Sequence, residues 1–304
     1  MIKLDGFLNI DKPAGITSFD VIRKLRKILP ARTKMGHLGT LDPLASGVLP
    51  IALGRATRVI DYIKDEKKKY IAELMLGAVS DTEDSSGRIT YTGKSQVKES
   101  HLLETLGSFT GVMEQIPPMY SAIHHEGKRL YELARQGVTV ERTPRKIQIY
   151  SLKLLSADMD NDLPLLTIEV SCSRGTYVRS LCRDIGEMLG TGAYMSGLIR
   201  SKSGIFEIED SCRLDHVLNN PADIERILYP VDFPLQEMPA IKLSSAEEEN
   251  MVNNGRTVRC YENPGPGMLK IYSPDGCFMA IGEIDTDEEM FFIKPRKVFK
   301  PGNN

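Results

Sequence analysis

Cysteines are few in this sequence, and long hydrophobic runs are absent from it. The five cysteines are an odd number and no two have CxxC spacing, so they indicate neither a disulfide framework nor a zinc site. No apolar run approaches a membrane span, and the first residues lack the apolar region of a secretory signal. These absences predict a cytoplasmic protein with reduced thiols and no membrane association.

Several motifs of cofactor and hydrolase chemistry are also missing. The sequence has no phosphate loop of the Walker type, no GxGxxG after a strand and no GxSxG. The five histidines form no HExxH pattern. Nucleotide-cofactor enzymes therefore lose support, and we expect neither a cofactor nor a metal site.

Charge is distributed unevenly along the 304 residues although the net charge is only −2. Residues 1–70 carry 14 Lys and Arg against 7 Asp and Glu, a net +7, whereas residues 201–304 carry 11 against 18, a net −7. A basic excess of this kind suits a polyanion such as nucleic acid, but a solvated charged surface explains it equally well.

The order of elements predicts a mixed α+β protein of two domains. Strands are expected near 7–10, 71–76, 145–155 and 165–172, and helices near 17–29, 99–106, 126–136 and 178–189. The helix near 17–29 has a basic exposed face. A proline-containing segment at 230–234 reads as a linker. We therefore predict a domain at 1–232 and a small β-rich domain at 236–304.

Residues 34–50 form the most constrained stretch, with three glycines, two prolines and one carboxylate, Asp42, directly before Pro43. Such a carboxylate is held in a defined pose, which suits a nucleophile or a general base. A tight turn capped by Asp42 explains the same residues and is the commoner use of them.

Aromatic and basic side chains elsewhere have similar alternatives. Tyr70 follows a lysine run and Tyr177 precedes a helix, but both could simply pack in the core. Arg179 could be solvated, or it could hold a carboxylate in its charged form. On residue types alone, the sequence predicts a two-domain protein that binds RNA or DNA.

The ordered motifs go further, because together they resemble the TruB family of tRNA pseudouridine synthases over about residues 3–232. The resemblance is carried by the following segments: Lys12-Pro-x-Gly-x-Thr-Ser18, Gly36-His-Leu-Gly-Thr-Leu-Asp-Pro-Leu-Ala-Ser-Gly-Val-Leu-Pro50, Lys69-Tyr70, Asp81-Thr-x-Asp-x-x-Gly87, Pro117-Pro-x-Tyr-Ser-Ala122, Ser173-x-Gly-Thr-Tyr-x-Arg179 and Gly197-Leu-x-Arg200. Residues 236–304 resemble an RNA-binding domain of the PUA type more loosely.

This resemblance implies a fold and an activity. The fold is a mostly antiparallel mixed sheet flanked by helices, followed by a PUA-like β-rich domain. The activity is conversion of a uridine in the TΨC arm of tRNA (position 55) to pseudouridine after base flipping, without cofactor or metal. The expected partner is the TΨC stem-loop of tRNA, and the expected state is a monomer.

The resemblance also assigns roles to nine residues. Asp42 is the expected nucleophile, Arg179 its ionic partner, and Tyr70 the group that stacks on the base and moves a proton. The expected substrate-binding residues are His37 as a wedge in the RNA loop, Leu198 against the base, Lys12, Tyr177, and Lys128 and Arg135 in an RNA-gripping insertion at 115–137.

Two other classes of function stay open on the sequence. One is an RNA-folding chaperone that uses the same surface without catalysis. The other is a glycosidase or transferase that uses Asp42 on a small substrate.

Overall fold

Two β-sheets dominate the computed structural model, which describes residues 4–63, 67–260, 265–287 and 290–299. The larger sheet has ten strands and lies in the first three quarters of the chain. The smaller sheet has five strands and lies in the carboxy-terminal part. No helix within the described ranges is long and apolar enough to cross a membrane.

The first part of the chain contains fourteen strands and six α-helices in its described residues. The strands are β1 (Gly6–Lys12), β2 (Met35–His37), β3 (Ser46–Leu53), β4 (Lys68–Leu76), β5 (Ala78–Ser80), β6 (Ile89–Tyr91), β7 (Gly111–Gln115), β8 (His124–His125), β9 (Lys128–Arg129), β10 (Arg145–Asp158), β11 (Leu165–Cys172), β12 (Ala193–Ser203), β13 (Phe206–Glu207) and β14 (Cys212–Arg213). The helices are α1 (Ser18–Leu25), α2 (Glu99–Ser108), α3 (Leu130–Arg135), α4 (Val178–Met188), α5 (Leu214–Asn219) and α6 (Ile224–Ile227).

The large sheet has the strand order β14-β1-β3-β12-β4-β11-β10-β7, with β2 added to β3 and β13 added to β12. Its pairs are antiparallel except β1 with β14 and β12 with β3. This arrangement confirms the predicted α+β class with a mostly antiparallel sheet. Because β3, β12 and β4 are neighbours at its centre, residues far apart in sequence meet there.

Apolar spacing explains why the flanking helices form where they do. Helix α1 begins at a capping box between Thr17 and Asp20 and buries Val21, Ile22 and Leu25. Helix α4 buries one apolar side in the same core cluster as the central strands. The 54–63 segment forms two turns of 3₁₀-helix at 54–58 and 60–62.

The predicted helix at 126–136 is wrong in its first half. Residues 124–129 instead form a small hairpin of β8 and β9, and α3 begins only at Leu130. The reason lies in the turn, where Glu126 and Gly127 both have positive φ, at 48° and 82°. A helix cannot pass through two such residues, because they bend the chain the opposite way.

The carboxy-terminal part contains a second sheet and one helix. The strands are β15 (Ala240–Lys242), β16 (Val258–Cys260), β17 (Met268–Tyr272), β18 (Phe278–Asp287) and β19 (Met290–Val298), in the order β15-β17-β18-β19-β16. Helix α7 (Ala246–Asn253) packs near β16 and β19. A β-rich carboxy-terminal domain is thereby confirmed, whereas its PUA character stays a prediction.

The segment at 230–235 is packed rather than extended between the two parts. The rings of Tyr229 and Phe233 lie 4.3 Å apart, and Phe206 from β13 lies 5.4 Å from Phe233. Phe299 and Ile281 join the same buried cluster. The two sheets therefore share apolar packing, and the domain limits at 232 and 236 stay a prediction.

Candidate active site

The loop that carries Asp42 runs from Leu38 to Ala45 between β2 and β3, at the centre of the large sheet. Two reciprocal hydrogen bonds tie the loop to the start of α1. The Leu41 amide donates to Ser18 Oγ at 2.8 Å, and Ser18 Oγ donates to the Leu41 carbonyl at 3.0 Å. The Gly15 amide donates to the Pro43 carbonyl at 2.8 Å. Hydrogen bonds on both sides of Asp42, of which the Ser18–Leu41 pair is buried, therefore fix its main chain.

Glycine is required where β3 begins. Gly47 has a φ of +97°, and a Cβ there would lie 2.3 Å from the Arg200 carbonyl oxygen of β12. A side chain at this position would clash with the main chain of Arg200, and the clash could be relieved only by moving β12. The glycine thus allows the close approach of β3 and β12 that sets the loop against the sheet.

Lys12 lies beneath the loop and is fully buried. Its ammonium donates to the carbonyls of Ile16 at 2.7 Å and Pro13 at 3.0 Å. Burial lowers the pKa of Lys12 to about 8, while the nearby charge of Asp42 opposes that fall. This geometry suits positioning of the loop, and contact of Lys12 with a substrate stays a prediction.

Asp42 and Arg179 form an ion pair, with Arg179 Nε 2.9 Å from Asp42 Oδ2. The Arg179 side chain is 5% exposed, whereas that of Asp42 is 36% exposed. A buried guanidinium therefore holds a carboxylate that still faces solvent. This is the pairing that sequence spacing alone could not reach.

Three further acceptors fix the same guanidinium. Arg179 Nη2 donates to the Tyr120 carbonyl at 3.0 Å, and Nη1 donates to the Thr82 carbonyl at 3.2 Å. Asp84 Oδ2 lies 3.5 Å from Nη1. With all three nitrogens engaged, Arg179 can turn away from Asp42 only by breaking several bonds.

The electrostatic setting of Asp42 is balanced between opposite effects. Burial raises the pKa of the Asp42 carboxyl, the charge of Arg179 lowers it, Asp84 raises it and Lys12 lowers it. The net direction is upward from the ordinary value of an aspartate. Desolvation makes the anion more reactive, and Arg179 limits the cost of keeping it charged.

Tyr70 and Leu198 lie on neighbouring central strands. Tyr70 on β4 pairs with Arg200 on β12, and Leu198 pairs with Ala72, so all four side chains stand on one face. Tyr70 is buried, and burial raises the pKa of its phenol, with the charge of Arg200 acting against that rise. The Asp42 charge also raises the pKa of Tyr70, which places the two groups in one electrostatic site.

His37 ends β2 and is half-buried, at the edge of the same loop. Its Nδ1 is buried and has no hydrogen-bond partner among the described residues. Burial lowers the pKa of His37, and the positive charges of Arg200 and Lys68 lower it further. The ring is therefore favoured in its neutral form, which suits insertion between bases.

Tyr177 lies just before α4, where Gln115 bridges its main chain: the Tyr177 amide donates to Gln115 Oε1 at 2.9 Å, and Gln115 Nε2 donates to the Tyr177 carbonyl at 3.0 Å. Burial raises the pKa of the Tyr177 phenol. The Asp42 charge also raises it, so Tyr177 belongs to the same electrostatic site as Tyr70.

Lys128 and Arg135 do not join this group. Both are exposed on the 115–137 insertion, where the Arg135 guanidinium lies 5.5 Å from the centre of the Tyr131 ring. Tyr120, whose carbonyl binds Arg179, lies at the base of the same insertion. The insertion thus combines a fixed base at the site with exposed cations beyond it.

A cavity of 580 Å³ adjoins the carbonyls that bind Arg179, and Asp42 does not line it. Its wall includes Tyr120 and Thr82, and Arg183 there pairs with Glu83 and Asp184. The exposed part of the Asp42 carboxylate therefore faces solvent and not this cavity.

Two contributors to the site were not predicted from the sequence. Asp84 was recognised only as part of a turn, and Tyr120 only as part of a proline-containing motif. Both act on Arg179, one of them through a main-chain carbonyl that no residue type reveals. Arg200 was matched to a motif, but no role was assigned to it.

Comparison with known proteins identifies the family. Residues 26–178 match the TruB family pseudouridylate synthase (N terminal domain), and residues 179–236 match the tRNA pseudouridylate synthase B C-terminal domain. The chain belongs to the TruB family of tRNA pseudouridine synthases. This membership confirms the resemblance drawn from the motifs and makes the protein an isomerase that modifies tRNA.

Relatives named tRNA pseudouridine synthase B match almost the whole chain. That of Syntrophomonas wolfei is 50% identical over 297 residues, covering 98% of this chain and 99% of the relative. That of Clostridium acetobutylicum is 43% identical over 293 residues, covering 95% and 98%. The TruB similarity therefore includes the carboxy-terminal β-rich part.

Solved structures resemble the fold over its full length. A chain from a Cbf5-Nop10-Gar1 complex aligns with a TM-score of 0.73 at 25% identity, covering 98% of this chain and 86% of that chain. A chain from an H/ACA RNP bound to a substrate RNA containing 2'-deoxyuridine aligns with a TM-score of 0.70 at 23% identity, covering 97% and 85%. The second of these supports the fold alone.

Proposed function

We propose that this TruB-family enzyme converts the uridine at position 55 in the TΨC arm of tRNA to pseudouridine, with Asp42 as the nucleophile. The observation that carries the proposal is the 2.9 Å ion pair between Asp42 and the buried Arg179. It holds a partly exposed carboxylate in one orientation while leaving it open to a substrate. Those are the requirements of a nucleophile that must reach a flipped nucleotide.

The reaction itself explains why a carboxylate and a phenol suffice. The bond between N1 of the base and C1′ of the ribose breaks, the base turns, and a bond from C5 to C1′ forms. C5 then loses a proton and N1 gains one, so the composition of the nucleoside does not change. No net oxidation or reduction occurs, and the protein's tasks are to bear the detached fragment, cage the base and move a proton.

Each residue of the site has a place in that scheme. Asp42 forms the temporary bond to the substrate, and Arg179 keeps the carboxylate ionised and aimed. Tyr70 stacks on the base and takes part in the proton transfer, while Leu198 packs against the base from the next strand. Tyr177 supports the wall at the start of α4.

The surfaces around the site suit an RNA stem-loop. His37, in its neutral form, is placed to enter the loop and fill the space left by flipped nucleotides, a step that costs a few kcal/mol and needs compensating contacts. Lys128 and Arg135 on the insertion, and the basic face of α1, would contact phosphates. Since one chain carries every group named here, we propose that a monomer acts on the RNA.

Mapping pseudouridine in an unmodified tRNA after incubation with the purified protein tests the proposal. The expected result is a single new pseudouridine at position 55, which carbodiimide labelling and primer extension would locate. A new pseudouridine at another tRNA position would overturn the assignment of the arm. Tight tRNA binding without product would favour an RNA-folding chaperone instead.

A further inference from the structure

Arg200 on β12 is the largest fully buried side chain in the described part of the protein. It lies directly across from Tyr70 of β4 in an antiparallel pair, and such partners have their Cβ atoms about 4.5–5.5 Å apart. The two side chains stand on the same face of the sheet. Arg200 is thus a cation at the back of the site, behind the residue that is expected to move a proton.

Two main-chain carbonyls fix the Arg200 guanidinium in place. Its Nε donates to the Val48 carbonyl at 2.7 Å, and its Nη2 donates to the Gly39 carbonyl at 3.1 Å. Gly39 lies in the loop that carries Asp42, and Val48 lies in β3 directly after that loop. The orientation of Arg200 is therefore tied to the same loop whose position determines where the nucleophile lies.

The third nitrogen of the guanidinium, Nη1, has no main-chain acceptor of this kind among the described residues. Arg200 Nη1 is buried and makes no hydrogen bond of acceptable geometry within the described ranges. No carboxylate of the described residues lies within ion-pair distance of Arg200 either. Burying a cation without an anionic partner costs free energy of folding. A function of Arg200 would explain why the charge is kept at this position.

A cation at this position would stabilise a negative charge on the phenol oxygen of Tyr70. Opposed influences act on it: burial raises the pKa of Tyr70, the charge of Arg200 and a side-chain hydrogen bond from it lower the pKa, and Cys172 on β11 and Asp42 in the loop raise it. Arg200 is therefore the charged group with the strongest influence in favour of a negatively charged Tyr70 oxygen. An ordinary phenol holds its proton too firmly at neutral pH to accept another.

We propose that Arg200 is a positioning residue that supplies a fixed positive charge and a spare N–H to the Tyr70 oxygen, so that Tyr70 can accept the proton from C5 of the turned base. The proposal rests on the proposed function. In the step concerned, the proton on C5 passes to the Tyr70 oxygen and the electron pair of the C5–H bond forms the C5=C6 double bond. The N1=C6 electron pair moves to N1, which takes up a proton, and the phenol returns its proton to solvent.

Single-turnover rates of Arg200→Gln and Arg200→Met on prebound tRNA, measured from pH 6 to pH 9.5, test this role. Without the positive charge the pKa of Tyr70 rises further, so its active form is reached only at higher pH. We expect a loss of about 10- to 100-fold at pH 7, within the range by which general-base catalysis contributes. The ratio of wild-type to variant rate should shrink steadily as the pH rises.

Matched variants separate this role from a structural one. Arg200→Lys keeps the charge and should recover part of the rate and of the pH profile. Ile199→Ala alters the exposed neighbour on the opposite face of β12 and should leave the profile unchanged. In a Tyr70→Phe background, Arg200→Gln should add little to any loss, because the group through which it acts is gone.

The outcomes can be told apart from failure of the proposed function. If wild-type protein forms no pseudouridine in tRNA, the proposed function falls. If wild type is active and the loss in Arg200→Gln or Arg200→Met is the same at every pH, the role of Arg200 is overturned. Should neither neutral variant fold, Arg200→Lys decides, since its shorter reach predicts a smaller loss that also shrinks with rising pH.

Discussion

Arg179 Nε lies 2.9 Å from Asp42 Oδ2, and the rest of the same guanidinium binds the carbonyls of Thr82 and Tyr120. One buried side chain thus links the loop that carries Asp42 to the turn after β5 and to the base of the 115–137 insertion. The orientation of Asp42 therefore depends on three segments that are remote in sequence.

Arg179→Ala should lower the rate of pseudouridine formation by about 10²- to 10³-fold, the usual cost of losing one electrostatic contact in an active site. The affinity for tRNA should change little, because Arg179 is buried. Removing its charge also raises the pKa of Asp42, so the acid limb of the single-turnover rate should move to higher pH. Arg183→Ala, one turn along α4, is the control and should keep the limb in place. Equal losses of rate and affinity would make Arg179 a phosphate contact.

Asp84→Asn should shift the same acid limb the other way. Asp84 holds Arg179 through Oδ2, so its loss should lower the rate at all pH values. Its negative charge also raises the pKa of Asp42, so the neutral amide should let Asp42 stay ionised to lower pH. Single-turnover rates from pH 4.5 to 8 would measure the limb. A shift toward higher pH would contradict the assigned electrostatics.

Asp42→Asn should abolish product while leaving tRNA binding nearly intact. The amide has the shape of the carboxylate but cannot form the temporary bond to the substrate. Filter binding and pseudouridine mapping on the same preparation measure the two properties. Wild-type amounts of pseudouridine from this variant would show that another group is the nucleophile.

Removing positive charge from the 115–137 insertion should weaken the binding of tRNA. Lys128→Ala combined with Arg135→Ala should weaken tRNA binding and flatten its salt dependence, by about 0.7 to 0.9 in the logarithmic slope for each phosphate that is no longer neutralised. Arg226→Ala on α6, another exposed arginine, is the matched control. An unchanged slope in the double variant would place the RNA elsewhere.

Helices and strands could be predicted where the spacing of apolar residues fits only one type of secondary structure. Strand β4 alternates buried and less buried residues along its length, and α1 has both a capping box and an apolar face. The 126–136 segment offered apolar residues at helical spacing too. The helix prediction was wrong for the first half of this segment, because Glu126 and Gly127 form a left-handed turn that a helix cannot include. A single glycine after a glutamate is only a weak sequence signal for such a turn.

The site could be predicted only in part for a different reason. Asp42, Tyr70 and Arg179 could be named because they lie in distinctive motifs. Their contacts depend on strand order, which joins β3, β12 and β4, and on carbonyl acceptors, which any residue type provides. The surroundings of Arg179 and Arg200 therefore required the folded chain.

Lys12 offers a test of the loop's support that is independent of activity. Its folded-state pKa, lowered to about 8 from 10.5, means that the unfolded chain binds more protons between these values. Stability contributed through Lys12 should therefore rise as pH increases from about 8 to about 10.5. Urea unfolding of wild type and Lys12→Met at pH 7.5 and 9.5 measures this, and wild type should gain on the order of 1–2 kcal/mol relative to the variant at the higher pH. Lys27→Met, at an exposed position in the turn after α1, should show no such gain. A difference between wild type and Lys12→Met that is constant with pH would mean that Lys12 stays charged in the fold, held by the carbonyls of Pro13 and Ile16.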